Sequence, residues 1–191
     1  RCLLSGSTWS LERTCLTDNP AWRIECKAYP QLNDPQHQRP GRDCGKFYTY
    51  DEIRELIAYA KERGITIMPE IDMPGHSAYF RNAFGFSMDS EEGMKVLEKC
   101  IDEFCEEIPA SLCPYLHVGS DEVYIADPKG FMRFTENLCK KHNRIAMAWD
   151  PGLPSAHWWR WAWLGWRRRV QLRRWLLCQG YQPQQRERTR H

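Results

Sequence analysis

The distribution of apolar residues predicts helices and strands in alternation along most of the chain. The Thr49-x-x-Glu52 sequence is a capping box, and apolar positions recur at helical spacing after it until Gly64 supplies a stop. Helix and strand patterns then alternate twice more. The predicted elements are a strand ending near residue 18, a helix over 49–64, a strand over 65–68, a helix over 94–108, a strand over 115–119, a helix after Asp127-Pro128 and a strand over 145–149.

This alternation is typical of a parallel sheet, either an open doubly wound sheet or a closed eight-stranded barrel. Each predicted strand ends in groups suited to chemistry: Asp18 after the first, Glu70, Asp72 and His76 after the second, Asp121 and Glu122 after the third, and Trp149 after the fourth. Convergence of acids from successive strand ends favours a barrel. The segment from residue 19 to 48 is polar and rich in Pro and Gly, which predicts a long loop over the site.

Charge divides the chain near residue 155. The net charge is +2, but residues 156–191 contain nine Arg, one acid and six of the nine Trp, a balance of +8 that leaves −6 for residues 1–155. We interpret residues 156–191 as non-native or disordered sequence, such as an out-of-frame product. Nucleic-acid binding, a membrane-surface segment and an aromatic carbohydrate platform are the alternatives.

The nine Cys show no zinc-binding spacing, and we expect most of them to be buried thiols that pack as small hydrophobic groups. No run approaches the ~20 apolar residues that a membrane-spanning helix needs. The chain begins with Arg1, which favours a processed protein or a fragment.

Four segments together resemble glycoside hydrolase family 20, the β-N-acetylhexosaminidases. The resemblance lies in Leu16-Thr17-Asp18 with Trp22-Arg23-Ile24-Glu25 and Tyr29-Pro30, in Tyr48-Thr49-x-x-Glu52-Ile53, in Ile67-x-Pro69-Glu70-Ile71-Asp72-Met73-Pro74-Gly75-His76, and in His117-Val118-Gly119-Ser120-Asp121-Glu122-Val123. Two positions depart from the family pattern, where Cys15 replaces a His and Ser120 replaces a Gly. The family's first strand, with its substrate-binding Arg, is not recognisable in residues 1–13.

The resemblance implies an α/β fold in which residues 1–155 form an incomplete (β/α)8 TIM barrel, about strands 2–5 of eight. It also implies release of terminal N-acetylglucosamine or N-acetylgalactosamine from glycans by a retaining mechanism, in which the 2-acetamido group of the substrate is the nucleophile. By the same resemblance Glu122 is the general acid and base, and Asp121 orients the acetamido group.

The remaining candidate residues have supporting roles by resemblance. Asp18 and His76 line the pocket, Glu70, Asp72 and His117 support it, and Trp149 is either a wall around the N-acetyl group or a core residue. No metal or organic cofactor is implied, because the nucleophile belongs to the substrate. We expect a glycan as the partner, with no nucleic acid and no membrane span; a second chain that completes the barrel stays open. The family suggests a lysosomal, secreted or periplasmic location. The alternative is an inactive fragment that at most binds carbohydrate or protein.

Overall fold

Four parallel strands form the central sheet of this computed structural model, which describes residues 10–18, 21–41, 43–120 and 122–149. The sheet contains β1 (Ser10–Cys15), β4 (Ile65–Glu70), β5 (Tyr115–His117) and β6 (Ile145–Met147), in that order. All three pairings are parallel. The strand order follows the chain without the reversal of a doubly wound sheet, so the predicted parallel α/β arrangement is confirmed.

A separate antiparallel pair, β2 (Thr17–Asp18) and β3 (Ala21–Trp22), follows β1 directly. The predicted long loop begins at residue 19, so β3 lies inside it. In its described residues, the rest of this segment contains two 3₁₀ turns, Pro30–Asn33 and Pro35–His37, and an isolated parallel bridge between Ile24 and Tyr48. The Asn33 side chain fixes this loop, since its amide group donates to the Ile24 carbonyl at 2.8 Å and its oxygen accepts from the Cys26 N–H at 2.9 Å.

Three of the four helices in the described ranges have a side-chain cap at the N-terminus, and the sequence predicts two of these caps, at Thr49 and Asp127. In α1 (Tyr50–Glu62) the Thr49 and Glu52 side chains cap each other's backbone, and in α4 (Pro128–Lys141) the Asp127 carboxylate accepts from the Gly130 N–H. In α3 (Glu91–Glu107) the Ser90 hydroxyl has the same role. Such caps satisfy N–H groups that lack a partner in the first turn.

The sequence pattern missed the short helix α2 (Ala78–Phe84). Its N-terminal residue Ser77 makes no capping side-chain bond, and the helix depends instead on the burial of Tyr79 and Phe80. A helix of seven residues is too short to show a recognisable apolar periodicity. Tertiary packing rather than local propensity therefore stabilises α2.

The core lies between the sheet and the apolar faces of the helices. It includes Ile57 of α1, Leu97, Ile101 and Phe104 of α3, and Leu116 of β5. Five of the cysteines in the described ranges are buried, as predicted: Cys26, Cys100, Cys105, Cys113 and Cys139. Cys15 is exposed and Cys44 is half-buried.

No helix within the described ranges is long and apolar enough to cross a membrane. The interpretation of residues 156–191 concerns sequence that lies outside the described residues, as does the predicted catalytic position Asp121.

Candidate active site

Polar side chains from four successive strand ends meet at the carboxyl edge of the sheet. Because parallel strands all end at one edge, residues far apart in sequence become neighbours there. The network at this edge has a buried layer, built around Glu70 and Asp72, and an exposed layer that contains Asp18, His76 and Glu122.

Glu70 is the centre of the buried layer. Its side chain is 2% exposed, and its carboxylate forms an ion pair with Arg13 of β1. The same carboxylate accepts the indole N–H of Trp149 at 3.1 Å and lies 3.0 Å from Nδ1 of His117. All four strands of the sheet therefore meet at this carboxylate. Glu70 ends β4, Arg13 lies in β1, His117 ends β5, and Trp149 follows β6.

Asp72 organises the turn that follows β5. Its Oδ1 accepts from the Ser120 N–H at 3.3 Å, and its own N–H donates to the buried Thr17 hydroxyl at 2.8 Å. Gly119 has φ +66°, and a Cβ atom there would lie 1.8 Å from Asp72 Oδ1. Only glycine fits both this backbone conformation and this close approach.

The Ser120 hydroxyl is buried and hydrogen-bonded. The hydroxyl donates to the Met73 carbonyl at 2.9 Å, and the residue is buried with φ 75°. A non-glycine residue in the left-handed region stores strain, and the buried hydrogen bond partly offsets it. Ser120, where the resemblance led us to expect a glycine, therefore links the segments that follow β4 and β5.

His76 joins the two exposed carboxylates of the site. Its Nδ1 lies 3.5 Å from Asp18 Oδ1, and its Nε2 lies 3.6 Å from Glu122 Oε2. The Glu122 side chain is 77% exposed, whereas His76 is 30% exposed. The His76 ring therefore lies between the two carboxylates, with one ring nitrogen facing each of them. Such contacts tighten when a substrate excludes water.

Trp149 lies between the buried and exposed layers. Its ring makes an edge contact with His117 at 4.9 Å between centroids, and the Arg13 guanidinium lies 4.7 Å from its centroid. The residue is half-buried. It is therefore anchored like a core residue while part of its surface stays accessible.

Sequence reasoning missed three contributors to the site: Arg13, Thr17 and Ser120. Arg13 lies in a stretch without clear helical or strand periodicity. A charged residue inside a strand nevertheless indicates that an oppositely charged partner is nearby in the folded protein. The Thr17 hydroxyl and the Ser120 hydroxyl are small and ambiguous in sequence.

Beneath Thr17 lies the buried Tyr79, and burial raises the pKa of its phenol well above its usual value.

Within the described ranges, no group of three or more His, Cys, Asp or Glu side chains is placed to hold a metal ion. The groups present at the edge are carboxylates, imidazoles and one guanidinium. They can donate, accept and relay protons, and they can stabilise positive charge. These features define an α/β protein with an acid-rich site at the carboxyl edge of a parallel sheet.

Comparison with known families agrees with this class. Residues 13–85 match the model of the glycosyl hydrolase family 20 catalytic domain. The beta-hexosaminidase of Vibrio furnissii is 38% identical over a match that covers 56% of this chain and 23% of that protein. The beta-hexosaminidase of Porphyromonas gingivalis is 32% identical, over 74% of this chain and 20% of that protein.

Solved structures give the same result. A beta-N-acetylhexosaminidase from Bacteroides fragilis superposes with a TM-score of 0.60 and 26% identity, covering 73% of this chain and 35% of that chain. An exo beta-N-acetylglucosaminidase from Vibrio harveyi, solved with N-acetylglucosamine, also gives 0.60 and 26%, covering 73% of this chain and 30% of that one. The chain contains part of a family 20 catalytic domain, and the matches to these two hexosaminidases span a fifth to a quarter of their length.

The buried carboxylate generates a stability prediction. We expect Glu70→Gln to lower the free energy of unfolding by about 2–4 kcal/mol, because it leaves the Arg13 guanidinium without its charge partner and turns an acceptor into a donor beside Trp149. Urea denaturation checks this result. The matched control is Glu91→Gln, which removes an exposed carboxylate paired with Lys95 and is expected to lower the midpoint far less, since an exposed pair contributes little. Equal effects of the two variants would contradict the assignment of Glu70 as a structural centre.

Gly119 generates a second prediction. We expect Gly119→Ala to destabilise the protein by about 3 kcal/mol or more, through backbone strain and the clash with the Asp72 carboxylate. Gly85→Ala is the control, because Gly85 has φ +81° but nothing within 4 Å of the added Cβ. Gly85→Ala introduces the backbone strain without a clash, and it should lower the free energy of unfolding by about 1 kcal/mol. The difference between the two midpoints in urea measures the clash, and no difference would show that the turn relaxes freely.

Proposed function

We propose that the chain is part of a β-N-acetylhexosaminidase-type glycoside hydrolase, which removes terminal N-acetylhexosamine from glycans. The observation that carries the proposal is the placement of His76 between the carboxylates of Asp18 and Glu122 at the edge of the sheet. The relatives named beta-hexosaminidase and the neighbour solved with N-acetylglucosamine support the choice of substrate.

The proposed architecture is an incomplete (β/α)8 barrel in which residues 1–155 hold about strands 2–5. Four parallel strands in chain order, with helices between them, support this arrangement. Among the described residues, β1 and β6 each pair with one neighbour in the sheet, so both edges are open to further strands. A second chain or a further segment that covers these edges would complete the barrel.

In the first chemical step, the acetamido oxygen of the bound sugar attacks the anomeric carbon while the glycosidic C–O bond breaks. Glu122 enters this step as a carboxylic acid and gives its proton to the departing oxygen. The product on the enzyme is an oxazolinium ion formed within the sugar. An exposed carboxyl group at the mouth of the site has the access to a leaving group that this step requires.

In the second step, the Glu122 carboxylate takes a proton from water. The hydroxide equivalent adds to the anomeric carbon, the oxazoline ring opens, and the sugar leaves with its configuration retained. Glu122 is protonated again and ready for the next cycle. One carboxyl group therefore serves both steps, as microscopic reversibility allows.

His76 positions Glu122 in this proposal. Its Nδ1 faces Asp18 and its Nε2 faces Glu122, so the ring holds the general acid at the mouth of the site. Asp121 precedes Glu122 in the chain and, by family resemblance, orients the acetamido group and stabilises its positive charge. Trp149, fixed by Glu70, offers one wall for the N-acetyl group.

The alternative function is carbohydrate or protein binding without catalysis. The observation that favours it is the extent of the match, because the chain aligns with only 20–23% of the two hexosaminidases. A sugar held at one edge of four strands would lack contacts that later strands bring to a complete barrel site.

An activity assay tests the proposal. The full chain is incubated with a chromogenic N-acetyl-β-glucosaminide, and we expect Glu122→Gln and Asp121→Asn each to lower kcat by at least about 10²-fold. Loss of the proton donor affects departure of the leaving group, whereas loss of Asp121 affects attack by the acetamido oxygen.

The control for this assay is Glu55→Gln, which neutralises an exposed carboxylate of α1 away from the sheet edge and is expected to keep full activity. Release at the same background rate by the wild-type chain and Glu122→Gln would overturn the enzymatic proposal. Thermal shift with N-acetylglucosamine would then test the binding alternative.

A deletion tests the proposed division of the chain. We propose that residues 1–155 contain the family 20 unit and that residues 156–191 contribute neither fold nor activity. Removing residues 156–191 is therefore expected to leave the thermal midpoint and any hexosaminidase activity unchanged, while solubility rises because six Trp leave the chain. A fall in midpoint or activity would show that this segment belongs to the working protein.

A further inference from the structure

Two buried thiols from distant parts of the chain lie in contact beside the long loop. Cys26 follows β3 and Cys100 lies in the middle of α3, yet their Sγ atoms are 3.9 Å apart. Cys26 is 4% exposed and Cys100 is 1% exposed. Neither residue touches the acidic edge of the sheet, so the proposed function gives this pair no role.

The backbone around both sulfur atoms is already fixed. The N–H groups of Lys27 and Ala28 donate to the two oxygens of Glu103 at 2.8 and 2.7 Å. Glu103 lies about one helical turn beyond Cys100, and its carboxylate also accepts from the Tyr50 hydroxyl at 2.8 Å. The loop and the helix are therefore joined next to the two thiols. Closing a disulfide requires the two sulfur atoms to move from 3.9 Å to roughly 2.05 Å apart.

We propose that Cys26 and Cys100 are a disulfide-forming site, which closes when the protein meets a disulfide oxidant such as glutathione disulfide. This inference is independent of the proposed function. It adds a covalent link to a junction that Glu103 otherwise holds by hydrogen bonds alone.

The reaction is thiol–disulfide exchange. The Cys26 thiolate attacks one sulfur of glutathione disulfide, which breaks its S–S bond and releases one glutathione thiolate. The Cys100 thiolate then attacks Cys26 Sγ, which forms the protein disulfide and releases the second glutathione. Two protein thiols are oxidised, one glutathione disulfide is reduced, and the two protons pass to the released glutathione molecules.

The two thiols differ in a way that suits this order. The two sulfur atoms share a hydrogen bond in which either thiol can donate. When Cys100 is the donor, this bond lowers the pKa of the Cys26 thiol. Cys26 is also the more exposed of the two thiols, at 4% against 1% for Cys100, and it lies outside the regular helices. Cys26 is therefore the first nucleophile and Cys100 the resolving thiol.

The link would close a long loop that contains α1, β4 and α2. Cross-linking residues this far apart restricts the unfolded chain and stabilises the folded state. We expect the oxidised protein to melt roughly 5–15 °C above the reduced protein. Dithiothreitol should reverse the shift.

Peptide mapping of the full chain tests the proposal. The folded protein is incubated with glutathione disulfide, remaining thiols are blocked with iodoacetamide, and tryptic peptides are analysed by mass spectrometry. The tryptic peptide 24–27 contains Cys26 alone, whereas the peptide 100–129 contains Cys100, Cys105 and Cys113. The expected product is the cross-link between these two peptides, and it should disappear on reduction.

Alanine variants assign the link within the second peptide. The link should persist in Cys105→Ala and Cys113→Ala and vanish in Cys100→Ala, together with the rise in melting temperature. Persistence of the link in Cys100→Ala, or its absence from the oxidised wild-type protein, would overturn the proposal. Because the wild-type map is informative without any variant, the test does not depend on the folding of Cys100→Ala.

Discussion

One buried carboxylate holds the carboxyl edge of the sheet together. Glu70 ends β4 and contacts Arg13 of β1, His117 of β5 and Trp149 just after β6. A charge at 2% exposure is costly unless its partners satisfy it. The contacts of Glu70 therefore constrain the strand ends, because the strands must be placed so that a guanidinium, an imidazole and an indole N–H all reach one carboxylate.

The layer above Glu70 depends on that arrangement. Asp72 is two residues beyond Glu70, and its contacts with Thr17 and Ser120 join the turns that follow β1 and β5. These buried turns carry Asp18 and Glu122 towards His76 at the exposed mouth. Buried groups therefore support the backbone from below, while the exposed carboxylates face the opening of the site, where a bound molecule can reach them.

Sequence reasoning succeeded where the signal is local and repeated. The capping box at Thr49 and the apolar stripe of α3 are physical constraints that neighbouring residues satisfy by themselves. Helix α1 begins as predicted, whereas α3 begins at Glu91, before the predicted residue 94. It failed at α2, which has no side-chain cap at its N-terminus and depends on the burial of Tyr79 and Phe80. It also missed Arg13, whose partner Glu70 lies 57 residues away, and the contact between Cys26 and Cys100, which are 74 residues apart.

The sequence by itself determined the alternation of helices and strands, the parallel sheet, and the acids and histidines that follow the strands. Those properties depend on periodicity, capping and motif spacing, which act over a few residues. Only the tertiary structure decided that His76 lies between Asp18 and Glu122, that Glu70 joins four strands, and that Gly119 must lack a side chain beside Asp72. The reason is that burial and contact depend on strand order and close packing, and residues that are distant in sequence acquire neighbours only when the sheet forms.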